Sequence, residues 1–206
     1  RSVEPENGDP LWYKNEVDAN KNPTGKRVTT NDYGSADYYY VNKSSLPKVY
    51  GGFNTSLSWK GFDLSAIFAY SIGGYIYNRD VTMILHNGSL EGRDWSTEIL
   101  RRWTPDNRYT DVPALSTTSN NWNSASTRFL QNNSYMRLKN LTLSYNLPKQ
   151  WISKLSLSSV QVYVQGDNLF TIHRNQGLDP EQGITGITYY RYPAMRTISG
   201  GINVSF

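Results

Sequence analysis

Apolar and polar residues alternate in five separate stretches of this chain, and the alternation predicts five β-strands. Over residues 48–59, Gly51, Phe53, Thr55, Leu57 and Trp59 share one parity, while Tyr50, Asn54, Ser56 and Ser58 share the other. Successive strand side chains point to opposite faces, so this stretch reads as a two-sided strand. After Lys60-Gly61, the tightest kind of hairpin connection, residues 62–73 return. Phe62, Leu64, Ala66, Phe68, Tyr70 and Ile72 fall on one side of that strand. A third strand is predicted over 133–147, with Leu141, Leu143, Tyr145 and Leu147 on one face. Above Asn140 its phase slips. Met136 and Leu138 are out of step with Leu141, and Arg137 and Lys139 take their place. Either a bulge re-aims the strand or the two cations rise beyond the apolar zone. Residues 158–172 form a fourth strand, carrying Val160, Val162, Val164, Phe170 and Ile172 on one parity. The fifth, 196–206, puts Ile198, Gly200, Ile202, Val204 and Phe206 on one face.

The connections sort by length. Those at 60–61 and 148–157 are short, whereas 1–47, 74–132 and 173–195 are long. Outer-membrane β-barrels have short periplasmic turns and long extracellular loops, and their strands carry apolar residues only on the lipid-facing parity. Five strands of ten or more residues meet the length needed to cross a bilayer at a tilt. The pattern therefore predicts an all-β chain that forms transmembrane antiparallel barrel strands. A soluble β-sandwich, with the apolar parity facing a core instead of lipid, is the alternative.

The long connections hold the candidate binding residues. The first, 1–47, is polar and rich in breakers, with aromatic clusters at Leu11-Trp12-Tyr13 and Tyr38-Tyr39-Tyr40. In the second, a short helix is expected from an Asp94 cap through Trp95–Trp103, with Ile99, Leu100 and Trp103 on its apolar side. Tyr75, Tyr77, Trp95, Asn121, Trp122, Asn123, Tyr189 and Tyr190 are loop aromatics and amides of the kind that contact sugars or peptides. The same residue types also serve loop packing and protein interfaces.

Composition narrows the classes. Mean hydropathy is −0.61, and no run approaches the roughly 18 apolar residues of a membrane-spanning helix. A barrel escapes that test because only alternate residues meet lipid. The 16 Tyr and 6 Trp suit membrane–water boundaries and ligand surfaces alike. A net charge of +4, carried by scattered basic residues, gives weak grounds for nucleic-acid binding, and none is expected. The absence of Cys excludes thiol chemistry, disulfides and Cys–metal sites. No G-x-S-x-G, H-E-x-x-H or phosphate-binding loop is present, and His86 and His173 are the only imidazoles. Asp179 and Glu181 are too close together to argue a catalytic carboxylate pair. Neither catalytic residues, a metal nor a cofactor are expected.

Several blocks carry a resemblance. They are G-D-P-L-W-Y (8–13), L-P-K-V-Y-G-G-F-N (46–54), K-G-F-D-L-S-A-I-F-A-Y (60–70), L-R-R-W-T-P-D-N (100–107), N-N-S-Y-M-R-L-K-N-L-T-L-S-Y-N-L-P (132–148), V-Y-V-Q-G-D-N-L-F-T (162–171), G-L-D-P-E (177–181) and R-T-I-S-G-G-I-N-V-S-F (196–206). In this order they resemble the carboxy-terminal part of SusC/RagA-type TonB-dependent transporters of Bacteroidetes outer membranes. The resemblance implies about five C-terminal strands of a 22-stranded, plugged barrel. It also implies uptake of oligosaccharide or peptide at the outer membrane, with a SusD-like lipoprotein partner and TonB engaged through an amino-terminal part. Phe206 would then serve as an assembly signal. Five strands cannot close by themselves, so plug and further strands of the same receptor are expected as partners. The opening R-S-V-E-P-E-N-G-D-P reads as the middle of a loop, as expected for a piece of a longer chain. The rival function is a soluble, secreted carbohydrate-binding β-sandwich.

Overall fold

A computed structural model describes residues 2–88, 90–118, 121–175, 177, 179–181, 185–188 and 190–206. In chain order the strands are β1 (Ser2–Val3), β2 (Pro10–Val17), β3 (Pro23–Thr30), β4 (Val49–Trp59), β5 (Phe62–Ile72), β6 (Tyr75–Tyr77), β7 (Leu130–Asn132), β8 (Tyr135–Asn146), β9 (Ser159–His173) and β10 (Thr197–Ser205). Two short helices, α1 (Arg79–Ile84) and α2 (Lys149–Ile152), and several 3-10 turns complete them. No helix among the described residues is long and apolar enough to cross a membrane. The chain divides into two compact units. One comprises Arg1–Asn42, Tyr77–Leu130 and Ile187–Tyr189, and the other Lys43–Ile76, Gln131–Gly186 and Tyr190–Phe206.

The second unit is built on a five-stranded antiparallel sheet in the order β10-β9-β8-β5-β4. Lys60 and Gly61 join β4 to β5, both with positive φ (47° and 89°). That is the backbone of a type I′ turn, whose twist matches the strands it joins. The register then aligns one apolar rung after another. Trp59, Phe62, Tyr145, Val162 and Ile202 pair successively across all five strands, and Leu57, Leu64, Leu143, Val164 and Gly200 form the next rung. These side chains do not gather into a core. Leu57 is 67% exposed, Phe53 50%, Leu143 42% and Ile202 65%.

The phase slip in the third strand is a bulge, and it widens across the sheet. Ile67 and Phe68 are adjacent in β5, but their β8 partners Asn140 and Leu138 are separated by Lys139. Those two in turn pair with Asp167 and Phe170 of β9, which are separated by Asn168 and Leu169. Asn168 takes a positive φ of 52°, as one residue of a bulge often must. The extra residue returns Met136 and Leu138 to the apolar parity beside Tyr70 and Phe68, and it turns Arg137 to the polar one. In β9 the insertion is two residues, so Phe170 and Ile172 keep the parity of Val162 and Val164.

The first unit is less regular. Its β1-β2-β3 sheet lies inside the stretch that alternation alone left as loop. The β2–β3 turn is ordered by Asp18, whose Oδ1 accepts N–H bonds from Asn20 (2.8 Å) and Asn22 (2.9 Å). Two small clusters hold the rest. Val81, Leu85 and Phe129 pack with Tyr77, and Ile99, Val112 and Trp122 pack together. The helix expected from an Asp94 cap is corrected to a 3-10 turn over Thr97–Arg101, capped by Ser96, whose Oγ accepts the Glu98 N–H at 3.3 Å. The tighter winding buries Ile99 but leaves Leu100 73% exposed, so Leu100 is not on an apolar side. The sequence reading missed α1. Asn78 caps it by accepting the Val81 N–H at 3.1 Å.

Candidate binding surface

The polar parity of the five-stranded sheet is a continuous hydrogen-bonded surface. Ser58 Oγ bonds to Asp63 Oδ1 at 2.5 Å, and Asn146 Nδ2 donates to Asp63 Oδ2 at 2.6 Å. Gln161 Nε2 donates to Asn146 Oδ1, and Gln161 Oε1 accepts from Asn203 Nδ2, both at 3.2 Å. That chain of contacts visits β4, β5, β8, β9 and β10 in turn. A second group lies further along the strands, where Asn140 Nδ2 donates to Asp167 Oδ1 at 2.8 Å and Thr142 Oγ1 to Asn140 Oδ1 at 2.9 Å. Ile67, 47% exposed, is an apolar exception on this face.

Where the polar face meets the segments after Lys43 and Asn132, a cavity of about 490 Å³ opens. Tyr50, Tyr75 and Tyr135 line it, with Asn133 and Ser71. Three phenols and an amide make a surface on which a sugar ring or a peptide side chain can stack and still find hydrogen bonds. Lys43 Nζ stands 4.6 Å from the centroid of the Tyr75 ring, and its ammonium draws the phenol below the ordinary tyrosine value.

Beside the cavity is a compact ion cluster. Arg137 and Asp179 are nearly buried, their side chains 4% and 7% exposed, and they form an ion pair. Arg137 Nη1 also donates to Glu181 Oε2 at 2.8 Å, which Lys139 Nζ meets at 2.6 Å. Burial pushes the Asp179 carboxyl up, but hydrogen bonds from Arg137 and from the Ala194 and Glu181 N–H groups outweigh it. The carboxyl is held below the usual carboxylate range. Sequence reading saw these two carboxylates only as too close to be catalytic. Their shared partner Arg137 lies 42 and 44 residues before them, and no local signal announces it.

The candidate residues separate on the structure. Tyr75 lines the cavity. Tyr190 is 67% exposed in the same unit, with a positive φ of 40°, and does not line it. Tyr77 is half-buried against Phe129, ring centroids 6.2 Å apart. Trp122 is a core residue, 6% exposed, with the Arg128 guanidinium 3.4 Å from the ring centroid. Trp95 donates its indole N–H to Nδ1 of the buried His86 at 3.1 Å. Asn121, φ 58°, accepts from Ser124 Oγ at 3.3 Å in a turn, and Asn123 is half-buried next to Trp122. Tyr189 lies outside the described residues. Phe206 is 92% exposed. Among the described candidates, Tyr75 is the one that lines the cavity. Tyr50, Tyr135 and Asn133 of the cavity went unnoticed because strand residues read as wall, not as site.

Comparison with known proteins agrees with this architecture. No family model matches the chain. The TonB-dependent receptor P3 of Formosa agariphila is 34% identical over 166 residues, 75% of this chain. The TonB-dependent receptor SusC of Bacteroides thetaiotaomicron is 27% identical over 198 residues, 94% of it. The chain spans only 16% and 19% of those two relatives. Among solved structures, the RagAB peptide transporter superposes on all of this chain with a TM-score of 0.83 at 34% identity, using 22% of its own length. Named relatives and superposed structures are thus receptors and transporters, and an exposed apolar sheet face backed by a polar ladder is what part of such a barrel presents. The chain belongs to the TonB-dependent receptors of the SusC/RagA type.

Proposed function

We propose that this chain supplies barrel wall and loops to an outer-membrane importer that takes up oligosaccharide or peptide under TonB control. The observation that carries the reading is the two-sidedness of the five-stranded sheet. Its apolar parity is exposed rung after rung, and its polar parity is tied together by side-chain hydrogen bonds. A lipid-facing exterior and a wet lumen ask for that division. The free edges of β4 and β10 need partners, because unpaired backbone groups are costly in hydrocarbon. In this reading further strands of the same receptor cover them, a plug fills the lumen, and a SusD-like lipoprotein meets the long loops 1–47, 74–132 and 173–195. The name of the RagAB relative, a peptide transporter, supports peptide as cargo, and the tyrosine-lined cavity suits either class. Tyr75 heads the ligand contacts, with Tyr190 and Trp95 as exposed aromatics of the loops. The chain is read as a transport component and not an enzyme.

The chain has no Cys, which makes single-cysteine labelling of the receptor direct in this region. Probes at Phe53, Leu143 and Ile202 should be quenched by brominated lipid in proteoliposomes. Probes at Ser56, Thr142 and Gln165 should be quenched by aqueous iodide instead. Equal behaviour of the two sets would sink the wall assignment. Removing 74–127 should lower uptake or lipoprotein docking, and full retention of both would take that loop out of the mechanism.

A further inference from the structure

The ion cluster joins points that are distant along the chain. Arg137 rises from the polar parity of β8, opposite Ala69 of β5 and Thr171 of β9. Its Nε donates to Thr171 Oγ1 at 2.9 Å and its two terminal nitrogens to Glu181 and Asp179. Lys139, the bulge residue, adds a second cation to Glu181. Asp179 then reaches forward: its Oδ2 accepts the Ala194 N–H at 2.6 Å, three residues before β10 begins. One carboxylate thus connects the wall at β8 to the chain entering the last strand. Between the two anchors stand Tyr190 and Tyr192, 67% and 98% exposed, and Met195, 81% exposed, follows the second.

A buried ion pair is poor evidence for stability as such, because desolvating two charges consumes most of what their attraction returns. Its value is geometric. A guanidinium with a carboxylate on each side accepts only one placement of the segment that carries those carboxylates. We infer that Arg137 and Asp179 are positioning residues, a latch that fixes residues 179–181 and 190–195 to the sheet and so sets where Tyr190, Tyr192 and Met195 stand. Its relevance to uptake rests on the importer reading, but the latch itself does not.

The test uses the full-length receptor in detergent, with folding of the barrel checked by heat-modifiable migration on a gel. Arg191 is an exposed tryptic site inside the latched segment, and Lys60 in the β4–β5 turn is an exposed control. Asp179→Asn and Arg137→Met should each speed cleavage at Arg191 by about tenfold or more, the scale of one lost charge-assisted contact. Cleavage at Lys60 should not change, whereas general destabilisation would move both. The double variant should match the stronger single one, because the pair acts as a unit. Wild-type cleavage at Arg191 in folded Asp179→Asn, or single effects that multiply, would overturn the latch. If those variants do not assemble, Glu181→Gln, which weakens the contacts to Arg137 and Lys139, and Thr171→Val, which removes the Arg137 Nε contact, should each give intermediate acceleration. Wild-type rates in both overturn it equally. Uptake of a dye-labelled oligopeptide pool separates the two claims: faster cleavage with unchanged uptake supports the latch and removes its relevance to import, whereas no uptake by the wild-type receptor counts against the importer reading and leaves the latch standing.

Discussion

Phe53 and Phe68 stack across the first hairpin with ring centroids 4.7 Å apart and planes 15° from parallel, on the face that carries no core. A stacked aromatic pair at a directly paired rung stabilises a hairpin. Here it also faces outward with Leu57, Leu143 and Ile202. If that face meets lipid, a charge on it should be costly while the same charge one residue away is tolerated. Phe53→Arg or Leu143→Arg is expected to lower barrel stability by about 2–4 kcal/mol if the position lies near the bilayer midplane. Ser56→Arg, on the opposite parity, should change it by well under that. Denaturant unfolding of the receptor in liposomes reads the difference.

Gly201 and Tyr163 are paired across β9 and β10, and a Cβ added to Gly201 would sit 2.6–2.8 Å from the phenol ring and its hydroxyl. The ring lies over the glycine and covers backbone that an edge strand would otherwise expose. Gly201→Val should therefore displace Tyr163 and cost about 1–3 kcal/mol by overpacking. Tyr163→Ala combined with it should recover part of that loss, which a double-mutant comparison of unfolding midpoints would show.

His86 is buried, and its Nδ1 accepts two N–H groups, from Trp95 at 3.1 Å and Gly88 at 3.3 Å. The ring must be neutral at Nδ1 to do so, and burial pushes its value below the ordinary 6.5. A histidine lowered in the folded state adds stability above its unfolded value. That stability is lost as pH falls from about 6.5 through the folded value. The environment of Trp95 should thus stay constant at neutral pH and change only on acidification. His86→Asn, which keeps an acceptor near the Nδ1 position, should flatten the transition, and His86→Leu should destabilise at every pH. Trp95 fluorescence against pH is the measurement.

Trp122 looked like a ligand contact and is a core residue. Trp122→Ala should cost the first unit about 3–5 kcal/mol, the range for emptying a buried aromatic site. Tyr75→Ala, at the cavity, should leave stability nearly unchanged and act on ligand binding. Hydrogen exchange of residues 97–130 distinguishes them: protection is lost in the first variant and kept in the second.

Alternation by itself determined the five outward-facing strands, their parities and the tight turn at Lys60-Gly61. Side-chain direction in a strand is a local property that repeats every two residues, so each strand can be read without its neighbours. The sequence blocks likewise carried the family. The remainder depended on partners far along the chain. The sequence left two readings for Met136 to Lys139, and only pairing with β5 and β9 selected a bulge and turned Arg137 inward to Asp179. The β2–β3 hairpin was obscured because its strands are polar and held by backbone pairing and the Asp18 turn. Trp122, Trp95 and Tyr75 are equally aromatic and loop-borne in the sequence. Burial against Ile99 and Val112, a bond to His86 and a place in a cavity set them apart, and each of those is settled by tertiary contact.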